Sequence, residues 1–243
     1  MQNKKLLHFD CINSTNTYSI EHFDDLEDKT VVSADKQTAG RGRFDRKWIS
    51  ESEENIYVSF VLKPENKNHL TNLTQYLCVV CAKILENYNV QPEIKWPNDV
   101  LVNGKKICGI LCETKLKQNK IQGVVLGIGI NLNMPEELIK TIDRPATSLN
   151  LETKQKIDKQ KFFNTLVEMF FENYEDAAEK GFSSFKEDYL KRIHFLGKKI
   201  FIQQRDNAQK LPFLAKTIDN NGNLIVLDDK KEEKTVYSGD LIL

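Results

Sequence analysis

Apolar and polar positions change period along this chain, and the changes mark out its elements. Residues 6–11, Leu-Leu-His-Phe-Asp-Cys, read as a short strand. Ser14-Thr15-Asn16 then offers capping side chains ahead of an amphipathic stretch ending at Leu26. Residues 30–34 and 55–62, rich in β-branched and aromatic side chains, read as strands on either side of a polar Gly- and Arg-rich loop at 38–47. Residues 70–88 place Leu73, Leu77, Val80, Ile84, Leu85 and Tyr88 at helical spacing. Strands at 100–102 and 106–112 flank Asn103-Gly104, a strong two-residue hairpin signal. Residues 121–132 carry a buried-strand pattern, and 157–177 a second long amphipathic helix with Phe163, Val167, Phe170 and Tyr174 on one face.

The texture changes at Gly197. From Lys198 onward only short strand patterns remain, at 199–203, 213–218, 223–227 and 235–237. Asn220-Asn221-Gly222 and Ser238-Gly239 mark turns between them. The expected fold class is α/β in the mixed, α+β sense: a catalytic-size domain over 1–195 and a small β-barrel domain over 196–243.

Composition narrows the function classes. Hydrophobic residues make up 40% of the 243, enough for a core, so the chain is not a disordered one. Lys and Arg number 35 and Asp and Glu 35, for a formal net charge of +0. No bulk basic field points to nucleic acid, and any anion site must be local. The N-terminus is too polar for a signal peptide and no apolar run is long enough for a membrane span. Five cysteines without framework spacing fit a reducing compartment, so a soluble cytoplasmic protein is expected.

Chemistry concentrates in two segments. In Ala39-Gly40-Arg41-Gly42-Arg43-Phe44-Asp45-Arg46-Lys47-Trp48, glycines admit close backbone approach and arginines offer planar forks for phosphate or carboxylate. Such a loop suits a polyanion and can close over it; an exposed basic loop without a ligand is the competing reading. It is no Walker A loop, and no G-x-G-x-x-G occurs; Gly127-Ile128-Gly129 alone equally marks a tight approach at a strand end. The second segment is Lys95-Trp96-Pro97-Asn98-Asp99, where Pro97 excludes a helix. It reads as a polar site at a sheet edge or as an ordinary charged turn. Lys106 opens the strand after the hairpin and so rests on rigid scaffold, as a catalytic cation requires.

Taken in order, Ser14-Thr15-Asn16, the run 37–43, Lys95-Trp96-Pro97-Asn98-Asp99, Lys106-Ile107-Cys108-Gly109-Ile110-Leu111 and Gly127-Ile128-Gly129-Ile130-Asn131 closely resemble the biotin protein ligases. The resemblance is specific through about Leu149 and looser beyond, where Val236-Tyr237-Ser238-Gly239-Asp240 looks like the close of that family's small C-terminal domain. It implies a mixed sheet with helices on one side, plus an SH3-like barrel. It implies two steps: biotin and Mg-ATP give biotinyl-5′-adenylate and pyrophosphate, and a lysine of a biotin carboxyl carrier protein or carboxylase subunit then attacks the adenylate.

Residue roles follow from motif position. Ser14, Thr15, Asn16, Gln37, Arg41, Gly42, Arg43, Lys106, Gly109 and Gly129 fall on the biotin side, with Gln37 near the ureido ring. Arg41, Arg43, Arg46, Trp48, Lys95, Asn98 and Asn131 fall on the nucleotide side. Lys106, Arg43 and Asp99 are the catalytic candidates, and Asp99 is also the candidate for Mg²⁺. Carboxylate attack on an α-phosphate joins two anions, so cations must relieve repulsion and stabilise growing phosphoryl charge.

Rival readings are a ligase for another acyl cofactor such as lipoate, a biotin-sensing repressor, or a binding-only paralogue. The first motif starts so near the N-terminus that no helix-turn-helix is expected ahead of it, so no DNA partner is expected. Monomer and homodimer both stay open, since a free sheet edge suits either a second copy or the acceptor. Cys78-x-x-Cys81, Cys108 and Cys112 fall on apolar faces and are expected in the core rather than on zinc. The four histidines lack metal-binding spacing.

Overall fold

The computed structural model describes residues 5–204 and 207–242. The first residues, read above for a leader, lie partly outside that span. Strand β1 (Leu6–Ile12) leads to α1 (Thr15–Glu21), β2 (Thr30–Gln37), a 3₁₀ turn at Arg43–Asp45 and β3 (Ile56–Leu62). Helix α2 (Asn72–Glu86) precedes β4 (Pro92–Lys95), β5 (Asp99–Val102), β6 (Lys105–Lys117) and β7 (Lys120–Ile130). Then come α3 (Glu136–Ile139), α4 (Leu149–Thr153), α5 (Lys159–Glu172), α6 (Tyr174–Lys180) and α7 (Lys186–Leu190). The chain closes with β8 (Lys199–Gln204), β9 (Asn207–Ile218), β10 (Leu224–Leu227), β11 (Glu233–Val236) and β12 (Asp240–Ile242).

Seven strands form one mixed sheet in the order β1-β2-β3-β7-β6-β5-β4, with β1 parallel to β2 and the other pairs antiparallel. Five form an antiparallel sheet, β11-β10-β9-β8-β12, in the region where a small barrel was expected. Strand alternation decides what each face of the large sheet does. On β3, Ile56, Val58, Phe60 and Leu62 point into the main core with α2 and α5, where Phe60 stacks on Phe170 at 4.2 Å between centroids. Burying two such rings contributes about 2 kcal/mol each. The opposite face takes Val61 and Val125 into a smaller cluster with Phe23, Leu26 and Val32.

Two expectations need correction. Helices do not lie on one side only: α1 lies against β3 and β7 on the face away from α2 and α5. The expected helix over 157–177 is two helices, because Asn173 leaves helical geometry (φ −123°, ψ 17°), and the break turns Tyr174 into the core at 1% exposure. The hairpin at Asn103-Gly104 is present, with positive φ at both residues, as its type requires. No helix among the described residues is long and apolar enough to cross a membrane. Cys78, Cys81 and Cys108 are buried and Cys112 packs beside them, all as free thiols in the core.

Candidate functional site

The α1 face of the large sheet is hollowed by glycine. On β7 the alternation Gly127-Ile128-Gly129-Ile130 sends both isoleucines into the main core and leaves both glycines on the α1 face. Gly129 pairs across the ladder with Gly109 of β6. A side chain at any of the three would collide with what now fills the space. A Cβ on Gly127 would lie 2.0 Å from Asn16 Oδ1, one on Gly129 2.4 Å from Trp48 Cε2, and one on Gly109 2.9 Å from Lys106 Nζ.

Helix α1 closes one end of this hollow. Ser14 is its N-cap, accepting from the Thr17 N–H, so Thr15 and Asn16 in the first turn point down at the sheet. Both are buried. Thr15 and Asn16 contact Ser59 of β3, at 2.8 Å and 2.6 Å between oxygens. The Thr15 N–H donates to Gln37 Oε1 at 2.8 Å. Gln37 Nε2 in turn donates to Ser50 Oγ at 3.0 Å.

The Gly-Arg loop forms the lid. It is pinched by the Trp48 N–H donating to Gly40 O at 2.9 Å and the Gly42 N–H donating to Arg46 O at 2.7 Å. Gly40 has no room for a side chain, since a Cβ would stand 2.5 Å from Trp48 O. Arg41 reaches Glu113 at 2.6 Å. Arg43 donates to Asn98 Oδ1 at 2.8 Å and to Gly239 O at 3.2 Å. Arg46 pairs with Asp240 at the start of β12. The small sheet therefore holds the lid from above. Burial pulls the Arg43 pKa below the ordinary guanidinium value, against the charges of Asp240 and Asp99.

Trp48 lies flat across the middle, its ring over Gly109 and Gly129 and 5.3 Å from Lys106 Nζ. It divides the hollow into two chambers. One, narrowed to about 50 Å³, is lined by Ser14, Thr15, Asn16, Gln37 and the glycines. The other, about 410 Å³, is lined by Arg46, Asp99, Asn131, Arg144 and Asp240 among others. Gly42, Arg43, Trp48, Asn98 and Lys106 line both, so the shared wall carries two cations. Lys106 Nζ stands 2.6 Å from Asp99 Oδ1, an ion pair off the hydrogen-bond direction.

Each residue expected at a site falls in or beside these chambers. The residues expected on the biotin side line the smaller one, and Arg46, Trp48, Asn98 and Asn131, expected on the nucleotide side, line the larger. Asn131 is anchored through Nδ2 to Thr147 O at 2.9 Å. Lys95 lines neither chamber; it pairs in register with Asp99, and burial lowers its pKa. Sequence reasoning missed Ser50, Ser59, Glu113, Arg144 and Asp240. Only Ser59 carried a usable signal, as a hydroxyl inside the apolar run Tyr57-Val58-Ser59-Phe60-Val61.

Comparison with known proteins agrees with this geometry. The family model described as biotin/lipoate A/B protein ligase family matches residues 8–131. The bifunctional ligase/repressor BirA of Bacillus subtilis is 33% identical over 98% of this chain and 74% of its own length. The biotin–[acetyl-CoA-carboxylase] ligase of Paracoccus denitrificans is 29% identical over 88% of this chain and 90% of its own. The solved biotin protein ligase from Aquifex aeolicus in complex with biotin and ATP superposes with a TM-score of 0.82, at 29% identity and covering 98% of both chains. The chain thus belongs to the biotin/lipoate A/B protein ligase family.

Proposed function

We propose that this protein is a biotin–protein ligase that activates biotin with ATP and attaches it to a lysine of a carboxylase's biotin carboxyl carrier protein. The observation that carries the reading is the wall shared by the two chambers. Arg43 and Lys106 line both chambers, which supports a reaction in which a carboxylate from the small one meets an α-phosphate from the large one beside these two cations.

In the first step a biotin carboxylate oxygen bonds to the α-phosphorus and the bond from that phosphorus to the pyrophosphate oxygen breaks. Lys106 and Arg43 screen the two approaching anions and stabilise the charge that grows on the phosphoryl oxygens. Trp48 offers its ring to the nucleotide base and, with the lid, keeps water from the mixed anhydride. In the second step the carrier lysine's amine bonds to the acyl carbon, AMP departs with the bridging oxygen, and the amine's proton is lost. Asp99, beside Lys106, is the carboxylate positioned to favour that loss. Asp99 lines the larger chamber, and although its Oδ1 pairs with Lys106, its carboxylate is a hard oxygen donor of the kind that suits Mg²⁺. Asp99 and the nucleotide's own phosphates would hold that ion, which neutralises phosphate charge.

Five free thiols fit a cytoplasmic protein. The test is incubation of the purified protein with labelled biotin, ATP, Mg²⁺ and an isolated biotin carboxyl carrier domain. Label is expected on the carrier, dependent on ATP and abolished when the acceptor lysine is changed to arginine. Label that persists on the arginine variant, or none at all, would overturn the proposal.

A further inference from the structure

A single chain of hydrogen bonds runs under the small chamber and joins both ends of the lid. Arg41 Nη2 donates to both Glu113 oxygens, at 2.8 Å and 2.6 Å. Asn16 Nδ2 donates to Glu113 Oε2 at 2.9 Å and to Leu111 O at 3.2 Å. Asn16 Oδ1 meets Ser59 Oγ, which meets Thr15 Oγ1. Thr15 leads to Gln37, Gln37 to Ser50, and Ser50 Oγ donates to Trp48 O at 3.1 Å.

Counting protons along this chain gives it a direction. Glu113 and the Leu111 carbonyl only accept, so the Asn16 amide must turn its NH₂ toward them and its oxygen toward Ser59. Ser59 has one hydrogen and must give it to Asn16 Oδ1. At the Ser59–Thr15 contact the donor is then Thr15. Having spent its only hydrogen, Thr15 does not donate to Gln37 Oε1, consistent with the longer 3.3 Å between those atoms. The Thr15 oxygen is left with a free acceptor site beside the chamber.

The other groups are set in the opposite sense. Gln37 Oε1 accepts the Thr15 N–H, which fixes its NH₂ toward Ser50 with one N–H to spare. Ser14 Oγ accepts from the Thr17 N–H and keeps its own hydrogen to give. The floor thus offers an acceptor, the Thr15 oxygen, alongside donors from Ser14 and Gln37, which suits a ligand carrying an N–H next to a carbonyl, as a cyclic urea does. Without Glu113 the Asn16 amide is oriented by the Leu111 carbonyl alone, through the longer of its two hydrogen bonds, so a flip that reverses Ser59 and Thr15 costs less and the pattern is weakened.

We infer that Glu113 is a positioning residue that sets the hydrogen-bond polarity of the biotin-side floor through Asn16 and Ser59, and so selects a cyclic urea head group. This rests on the biotin-ligase reading above. Glu113 touches no reacting atom; its carboxylate acts through Asn16 and, on its other side, ties down Arg41.

The experiment is biotin-dependent ATP–pyrophosphate exchange by the full chain, wild type against Glu113→Ala, Glu113→Gln and Ser59→Ala. Ser59→Ala cuts the relay and leaves the Arg41–Glu113 pair in place. The KM for biotin is expected to rise about tenfold or more in Glu113→Ala and Ser59→Ala, and in Ser59→Ala, where Arg41 stays tied, the KM for ATP stays within about twofold and kcat changes less than KM. Glu113→Gln, which keeps an acceptor oxygen, is expected to fall between. Circular dichroism and thermal melting show which variants are folded. A biotin KM unchanged in both folded alanine variants, or an ATP KM rising in step with it in Ser59→Ala, would overturn the inference. Wild type lacking biotin-dependent exchange would instead remove the functional reading on which it rests.

Discussion

Lys106 Nζ and Asp99 Oδ1 lie 2.6 Å apart on adjacent strands, at the wall shared by the two chambers. The pair ties the lysine to the neighbouring strand, and in the proposed reaction the incoming carboxylate and phosphate would take over its charge. Pre-set cations of this kind need no reorganisation in the transition state. Lys106→Ala is therefore expected to lower the rate of adenylate formation by about 10² to 10³. Single-turnover measurement of biotinyl-AMP checks it. Adenylate formed at the wild-type rate would remove the role given to Lys106.

Gly129 and Trp48 share one volume of space. An added Cβ at 129 would stand 2.4 Å from the indole, so Gly129→Ala displaces the ring from the wall between the chambers. Loss of about tenfold or more in kcat/KM for ATP is expected. Fluorescence gives a second check, because the chain has two tryptophans and Trp96 is buried away from both chambers. ATP should change the emission of wild type and leave that of Trp48→Phe unaltered.

Trp96 holds the two sheets together instead. Its Nε1 donates to Gly222 O at 3.0 Å, an oxygen that also accepts from Gln75 Nε2 at 2.8 Å. Trp96→Phe removes one buried hydrogen bond, worth about 1 kcal/mol. The melting temperature is expected to fall by about 2–4 °C. Calorimetry measures it directly, and an unchanged melting point would show that this contact does not couple the sheets.

Much of this was legible in the chain itself. The cap at Ser14, the Asn103-Gly104 turn and the glycine alternation on β7 are local rules, and each held because local and tertiary preferences agree there. What could not be read depends on partners far away in sequence. Glu113 looks like an ordinary exposed-face residue of β6 until Arg41 and Asn16 are brought to it. Asp240 gains meaning only when the small sheet is laid over the lid. The tight turn at Gln118-Asn119, with φ of 49° and 60°, was missed because glutamine gives no turn signal. The break at Asn173 was missed because the apolar stripe runs straight through it.

The cysteines give a pH-dependent check on the core. Burial pushes the Cys112 thiol up to about 12, and Cys78 and Cys108 well above their ordinary value. A raised thiol pKa means the reactive thiolate is scarce below it: for Cys112 about 1 in 10⁴ at pH 8 and about 1 in 10³ at pH 9. Cys11 is exposed on β1. Iodoacetamide on the native protein at pH 8 is expected to modify Cys11 alone, and all five cysteines after denaturation. A chelator should alter neither pattern. Rapid labelling of Cys78 and Cys81 in the folded protein would contradict their place in the core.

The central claim is that the two chambers bring a biotin carboxylate to the α-phosphate of ATP. Isotope exchange between ATP and pyrophosphate, run with Mg²⁺ and either biotin or lipoate, tests it most directly. A lipoate ring has no N–H or carbonyl for Thr15, Gln37 and Ser14, and leaving such groups unpaired discriminates strongly. Exchange that depends on biotin and is at least about a hundredfold weaker with lipoate is the expected result. Exchange with lipoate alone, or with neither acid, would contradict it.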